Sequence, residues 1–150
     1  MPQFAKDVVM DGVRGREENL FIGTLAGIVA ATAGALIWMG ITVVTGYHVG
    51  YVALGVGALV GLTVRLIGNG RGMIFGIVGA ILTLVGCLGG EVLTVAQLAS
   101  TAQRDFYATL TTLDLSQTLI NIFNHYESQP LMYLIYAIGI FEGYKFSIRK

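Results

Sequence analysis

The stretch "GLTVRLIGNGRGMIFG", residues 61–76, interrupts a long apolar region with two arginines and a cluster of glycines before the apolar sequence resumes. Gly68, Gly70 and Gly72 permit positive φ and Asn69 tolerates it, so a turn is expected here. On one side, residues 51–67 form a run of 17 that as a helix reaches about 25 Å; its only charge, Arg65, sits near the end and can snorkel to the headgroups. On the other, residues 73–90 are apolar, and helix-compatible sequence continues through Glu91 to position 98. The two runs read as a tight helical hairpin in a membrane, with Arg65 and Arg71 at its cytoplasmic tip.

The rest of the chain agrees with this membrane reading. Apolar residues make up 55% of the 150 positions and charged residues only 12%, against a usual ~45–50% and ~25%. Nine basic and nine acidic residues leave no net charge to attract nucleic acid or to steer an acidic substrate. Cys87 stands alone, which excludes an intramolecular disulfide and any Cys-based zinc or iron–sulfur site within one chain.

Residues 20–44 carry no charge over 25 positions, about 37 Å of helix, more than the roughly 30 Å hydrocarbon core. Ala31-Thr32-Ala33 resembles a signal-peptide cleavage site, but Glu17 and Glu18 stand where such a peptide prefers basic residues, and the apolar run continues to Val44. A retained span is expected. A fourth span is expected over 131–146, opened by Pro130 in a helical first turn. Its apolar part is short, and charge placement argues for it. With four spans and the N-terminus inside, Lys6, Arg14, Arg16, Arg65, Arg71, Lys145, Arg149 and Lys150 are cytoplasmic, and only Arg104 is external.

Residues 1–19 then read as a cytoplasmic amphipathic N-terminus, with Phe4, Val8, Val9 and Val13 near one face, and 147–150 as a cytoplasmic tail. Residues 99–130 read as an external segment. Phe106, Leu110, Leu113, Leu119, Ile120, Phe123 and Tyr126 recur at roughly helical spacing, which predicts helical pieces at the outer interface.

Small residues let membrane helices approach closely where hydrophobic drive is absent. Gly55, Gly57 and Gly61 on the second span and Gly72, Gly76, Gly79, Gly86, Gly89 and Gly90 on or beside the third include G-x-x-x-G pairs at 57/61 and 72/76. They are read first as the packing face of the 51–98 hairpin, and second as an interface for other helices.

Two carboxylates fall within spans, where an ionised group costs roughly 2.5–3.5 kcal/mol at mid-membrane and marks a candidate functional site. Glu142 is expected near the cytoplasmic end, within reach of an ion pair with Arg65 or Arg71. Glu91 has no basic residue predicted beside it. His48 and His125 fall outside, with Tyr47, Tyr51, Glu91 and Glu127 at the same level, but their scattered spacing does not preform a metal site. Tyr47, Tyr51, Tyr107, Tyr126 and Tyr133 fit an outer aromatic belt. No Walker lysine follows the glycines, and no serine has a G-x-S-x-G setting, so neither nucleotide binding nor covalent catalysis is supported.

"GYHVGYVALGVGALVGLTVR" (46–65) with "GNGRG" and "GIVGAILTLVGCLGGE" (76–91) resembles hairpins of small uncharacterised bacterial multispanning inner-membrane proteins. The resemblance implies a bacterial inner membrane and carries no activity. The expectation is an all-α polytopic protein with four spans and both termini cytoplasmic. It acts as an accessory or scaffolding subunit that packs against lipids and other membrane subunits or copies of itself, without a cofactor, a nucleic acid or a soluble small-molecule substrate. The alternative is a small oligomeric channel or carrier whose pore is lined by Glu91.

Overall fold

The computed structural model describes residues 2–3, 19–47, 50–100, 105–126 and 130–148. The amphipathic N-terminus expected before residue 19 lies almost wholly outside them, as do His48, Arg104, Glu127, Arg149 and Lys150. Every regular element among the described residues is helical: α1 (Leu20–Thr45), α2 (Tyr51–Gly68), α3 (Met73–Ala99), α4 (Phe106–Thr112), α5 (Leu115–Tyr126) and α6 (Pro130–Ser147).

Three of these, α1, α2 and α3, are long and apolar enough to cross a membrane, at 26, 18 and 27 residues. Their outward side chains, among them Phe21, Val29, Leu36, Leu66, Ile74 and Ile81, are large and exposed, as a surface solvated by lipid requires. Helix α6 has 18 residues but carries Glu142 and Lys145 towards its end.

Local chemistry sets the helix ends. Asn19 caps α1, its Oδ1 accepting from the Ile22 N–H at 3.0 Å, and Gly46 closes the helix in the left-handed region at φ +69°. The turn after α2 departs from expectation: Asn69, at φ +52°, takes the left-handed conformation there, and none of the three neighbouring glycines does. Gly68 and Gly70 serve close approach instead. A Cβ on Gly68 would meet the Gly23 backbone at 2.8 Å, and one on Gly70 would strike the Phe75 ring at 2.5 Å. The Asn19 N–H donates to the Gly68 carbonyl at 3.0 Å, which ties the start of α1 to the end of α2.

Four helices form the bundle. Gly23 faces Gly68 while Gly34 faces Val56, so α1 and α2 run antiparallel. Gly50 meets Met132 and Ile135 while Gly61 meets Phe146, so α2 and α6 run parallel; Gly79 meets Ser147 while Glu91 meets Tyr136, so α3 and α6 run antiparallel. Helices α1 and α6 each pack against both α2 and α3, which face each other across the diagonal. Trp38, Ala53, Val56, Val60, Val64, Phe75 and Cys87 fill the centre.

This order redirects the glycines. Gly57 and Gly61 lie against Gly139, Gly143, Phe146 and Ser147 of α6; Gly76 and Gly79 also face α6, through Tyr144 and Ser147. Gly86 meets Ala31 of α1, Gly90 meets Trp38, and Gly55 and Gly72 face open space. The small faces of α2 and α3 therefore hold the outer two helices more than they hold each other.

At Gly57 a Cβ would collide with the Gly139 carbonyl oxygen, whereas at Gly40 nothing lies within 4 Å. Overpacking typically costs about 1–3 kcal/mol, so Gly57→Val is expected to lower the unfolding midpoint in detergent. Gly40→Ala should hold or raise it by about 0.5–1 kcal/mol of helix propensity. Thermal melts followed by circular dichroism check both.

Candidate functional site

Glu91 lies on α3 eight residues before its end, roughly 12 Å along the helix axis. Its side chain is turned into the bundle and is only 2% exposed. Tyr136 of α6 donates its hydroxyl to Glu91 Oε1 at 2.8 Å. That bond joins positions 45 apart in sequence, and it forms because the glycine contacts lower in the bundle set α6 antiparallel to α3 at close range.

Around this pair the three helices present an aromatic and hydroxyl lining. The Trp38 ring of α1 packs on the Tyr136 ring with centroids 5.7 Å apart and planes inclined by 34°. Gly90 makes room for it, since a Cβ there would meet Trp38 Cβ and Cγ at 2.8 Å. Trp38 is 1% exposed, yet among the described residues its Nε1–H finds no acceptor; one turn on, the buried Thr42 Oγ1 is likewise without a partner there. Thr94, fully buried, returns its hydroxyl to the Gly90 carbonyl at 2.8 Å, the usual arrangement for threonine inside a helix. Cys87 sits a turn below Glu91, also buried.

The segment between α3 and α6 packs over the carboxylate. Asp114 caps α5: its Oδ1 accepts from the Ser116 hydroxyl, the Ser116 N–H and the Gln117 N–H. These bonds, the Ser116 hydroxyl first and the Gln117 amide next, hold the exposed Asp114 carboxyl below its ordinary value of 3.8. Helix α5 turns Thr118 and Ile122 inward, and Tyr133 of α6 ties it down through a 3.0 Å bond from its hydroxyl to the Phe123 carbonyl.

Two cavities adjoin the Glu91–Tyr136 bond. A cleft of about 410 Å³ is lined by Glu91 and Val95 of α3, by Leu113, and by Thr118, Asn121, Ile122 and His125 of α5. A smaller, almost wholly apolar chamber of about 240 Å³ lies between α3, α5 and α6, with Tyr136 in its wall. Ile122 borders both.

The other residues singled out in the sequence lie elsewhere. Arg71 is exposed in the turn between α2 and α3. The expected pairing of Glu142 with Arg65 or Arg71 is absent among the described residues; Arg65 Nε is buried without a hydrogen-bond partner. His125 shares the cleft with Glu91, but no three His, Cys, Asp or Glu side chains come together among the described residues. Tyr47, Tyr51, Tyr107 and Tyr133 are exposed.

Trp38, Thr42 and Tyr136 did not stand out in the sequence. The available signal was faint: a Trp and a Thr four apart on one apolar helix, and a Tyr in the apolar part of α6. No protein-family model, curated protein or solved structure matches this chain.

A buried acceptor that loses its donor forfeits about 1–3 kcal/mol, more when it is charged. Tyr136→Phe and Glu91→Ala, each of which removes this bond, are each expected to destabilise the bundle. In the double variant the losses should fall short of their sum by about 0.5–3 kcal/mol, as for groups in direct contact. A chemical-unfolding cycle in one detergent measures this; additive losses would mean the two side chains act separately.

Proposed function

We propose that the chain crosses the membrane four times, with both termini cytoplasmic, and serves as an accessory or scaffolding subunit held to its partners by helix packing. The four-span reading rests on α6 packing along α2 from Gly50 to Gly61 and along α3 from Glu91 to Gly76, and on the lysines and arginines at the turn after α2 and beyond α6. The resemblance of residues 46–91 to bacterial inner-membrane hairpins points to that membrane.

One observation carries the scaffold reading. Many of the small faces are consumed within the chain, but outward grooves remain among the described residues, and two of them have a small-residue floor. Between α1 and α3, a groove of about 500 Å³ runs over Ala31, Thr32, Ala35, Gly86 and Gly89. Between α1 and α2, another of about 510 Å³ runs over Gly34 and Gly55 beneath Ile37, Ile41 and Leu59. In lipid, apolar area alone gives no reason for helices to associate, and grooves that admit a close backbone do. A helix of another subunit, or of a second copy, is their proposed occupant.

A carrier is the second reading, favoured by the burial of Glu91. Because that carboxylate faces the interior of its own bundle, a path within one chain suits it better than a pore lined by several copies.

The grooves supply the test. A Cβ at Gly89 would meet only Ala35 Cβ at 3.7 Å, and one at Gly55 nothing within 4 Å, so a side chain at either site starts into a groove without striking the chain's own backbone. Purification in mild detergent is expected to yield the wild type in a stoichiometric assembly, hetero- or homo-oligomeric by light scattering and mass spectrometry. Gly55→Leu or Gly89→Leu should release it with the melting temperature unchanged. A monomeric wild type in which Glu91→Gln abolishes ion flux into vesicles would favour the carrier instead.

A further inference from the structure

The cleft and the chamber beside Glu91 differ in chemistry, share Ile122 as a wall and adjoin at the Glu91–Tyr136 bond, a division that neither the scaffold nor the carrier reading uses. The chamber is walled by Leu88, Ile122, Phe123, Tyr133, Tyr136 and Ile140. Its roughly 240 Å³ exceeds the ~150 Å³ at which an apolar protein cavity already holds benzene, so a phenyl ring with a short chain fits. The cleft offers the Glu91 carboxylate together with Thr118, Asn121 and His125. We propose that the two form one binding site for a small amphipathic amine, its ammonium hydrogen-bonded to Glu91 and its apolar body in the aromatic chamber.

Chemistry selects this class over its neighbours. The carboxylate repels an anionic headgroup, and a charge-assisted bond to it is roughly twice as strong as one from a neutral alcohol. A carboxylate has about four acceptor positions, so Glu91 can receive an ammonium while it keeps the Tyr136 hydroxyl and its other contacts. Phe123, Tyr133 and Tyr136 offer ring faces and edges to an aryl group, or to the cation itself. An amine without an apolar part would leave the chamber empty.

Trp38 reports on the site, because it is the only tryptophan in the chain and lies against the Tyr136 ring. The full chain in detergent is titrated at pH 8, where an alkylamine is protonated. 2-Phenylethylamine is compared with 2-phenylethanol, 3-phenylpropanoate and methylamine. The amine is expected to change Trp38 fluorescence saturably, with the other three at least about tenfold weaker. Glu91→Gln should remove the preference for amine over alcohol. Ala137→Leu, which narrows the chamber without touching the carboxylate, should weaken both.

Equal affinity for amine and alcohol in the wild type would overturn the proposal, as would a linear response that reports only partition into the micelle. Retention of full amine affinity in Ala137→Leu would do the same, and this variant keeps the test decisive if Glu91→Gln does not fold. The outcome is independent of the scaffold reading, since a chain that purifies alone can still bind the amine.

Discussion

Close backbone contact between α6 and the two helices that cradle it governs this molecule. Gly57 lies on Gly139, and Gly79 lies on Gly143 and Ser147. A lipid-solvated bundle gains little from burying apolar area, because hydrocarbon surrounds it anyway; it must gain from van der Waals contact at short range and from hydrogen bonds made inside. Glycine at these positions lets α6 approach until its backbone touches both neighbours. Without that approach, α6 would have only a modestly apolar surface and two charges to commend it to a membrane.

The position of Glu91 follows from that contact. Gly143 is fixed against Thr83, and two turns earlier Tyr136 is carried to the level of Glu91, where its hydroxyl meets the carboxylate. Trp38 then closes the third side, in the space that Gly90 leaves. One carboxylate thus comes to be held by three helices and roofed by a fourth, in a region where an ionised group needs partners to be tolerated. The orphaned Trp38 Nε1 and Thr42 Oγ1 mark the same neighbourhood as polar beyond the needs of packing.

Much of the helical layout was legible in the sequence, because charge-free length is a local property. Residues 20–44 and 73–98 were expected to be helical, and the helices run Leu20–Thr45 and Met73–Ala99. Pro130 marked the start of α6, and the periodicity of 106–126 predicted helical pieces where α4 and α5 lie. Pairwise geometry was not legible. A glycine stripe identifies a face but not what lies against it, so the stripes of α2 and α3 read as facing each other when α6 and α1 occupy them. The turn misled for a related reason: Gly68 and Gly70 are small because Gly23 and Phe75 press on them, and the left-handed residue is Asn69. Glu91 was visible as a charge in an apolar run. Its partner, 45 positions away on a helix whose neighbours were unknown, was not.

In the proposed four-span arrangement, the start of α3 and the end of α6, which meet at Gly79 and Ser147, lie towards one side of the membrane. Cysteine labelling measures this directly. In a Cys87→Ser background, Met73→Cys at the exposed start of α3 and a cysteine appended after Lys150 are treated with a membrane-impermeant maleimide on intact cells and on inside-out vesicles. Both are predicted to react only from the cytoplasmic face. Reaction of the appended cysteine from the opposite face to position 73 would contradict the account.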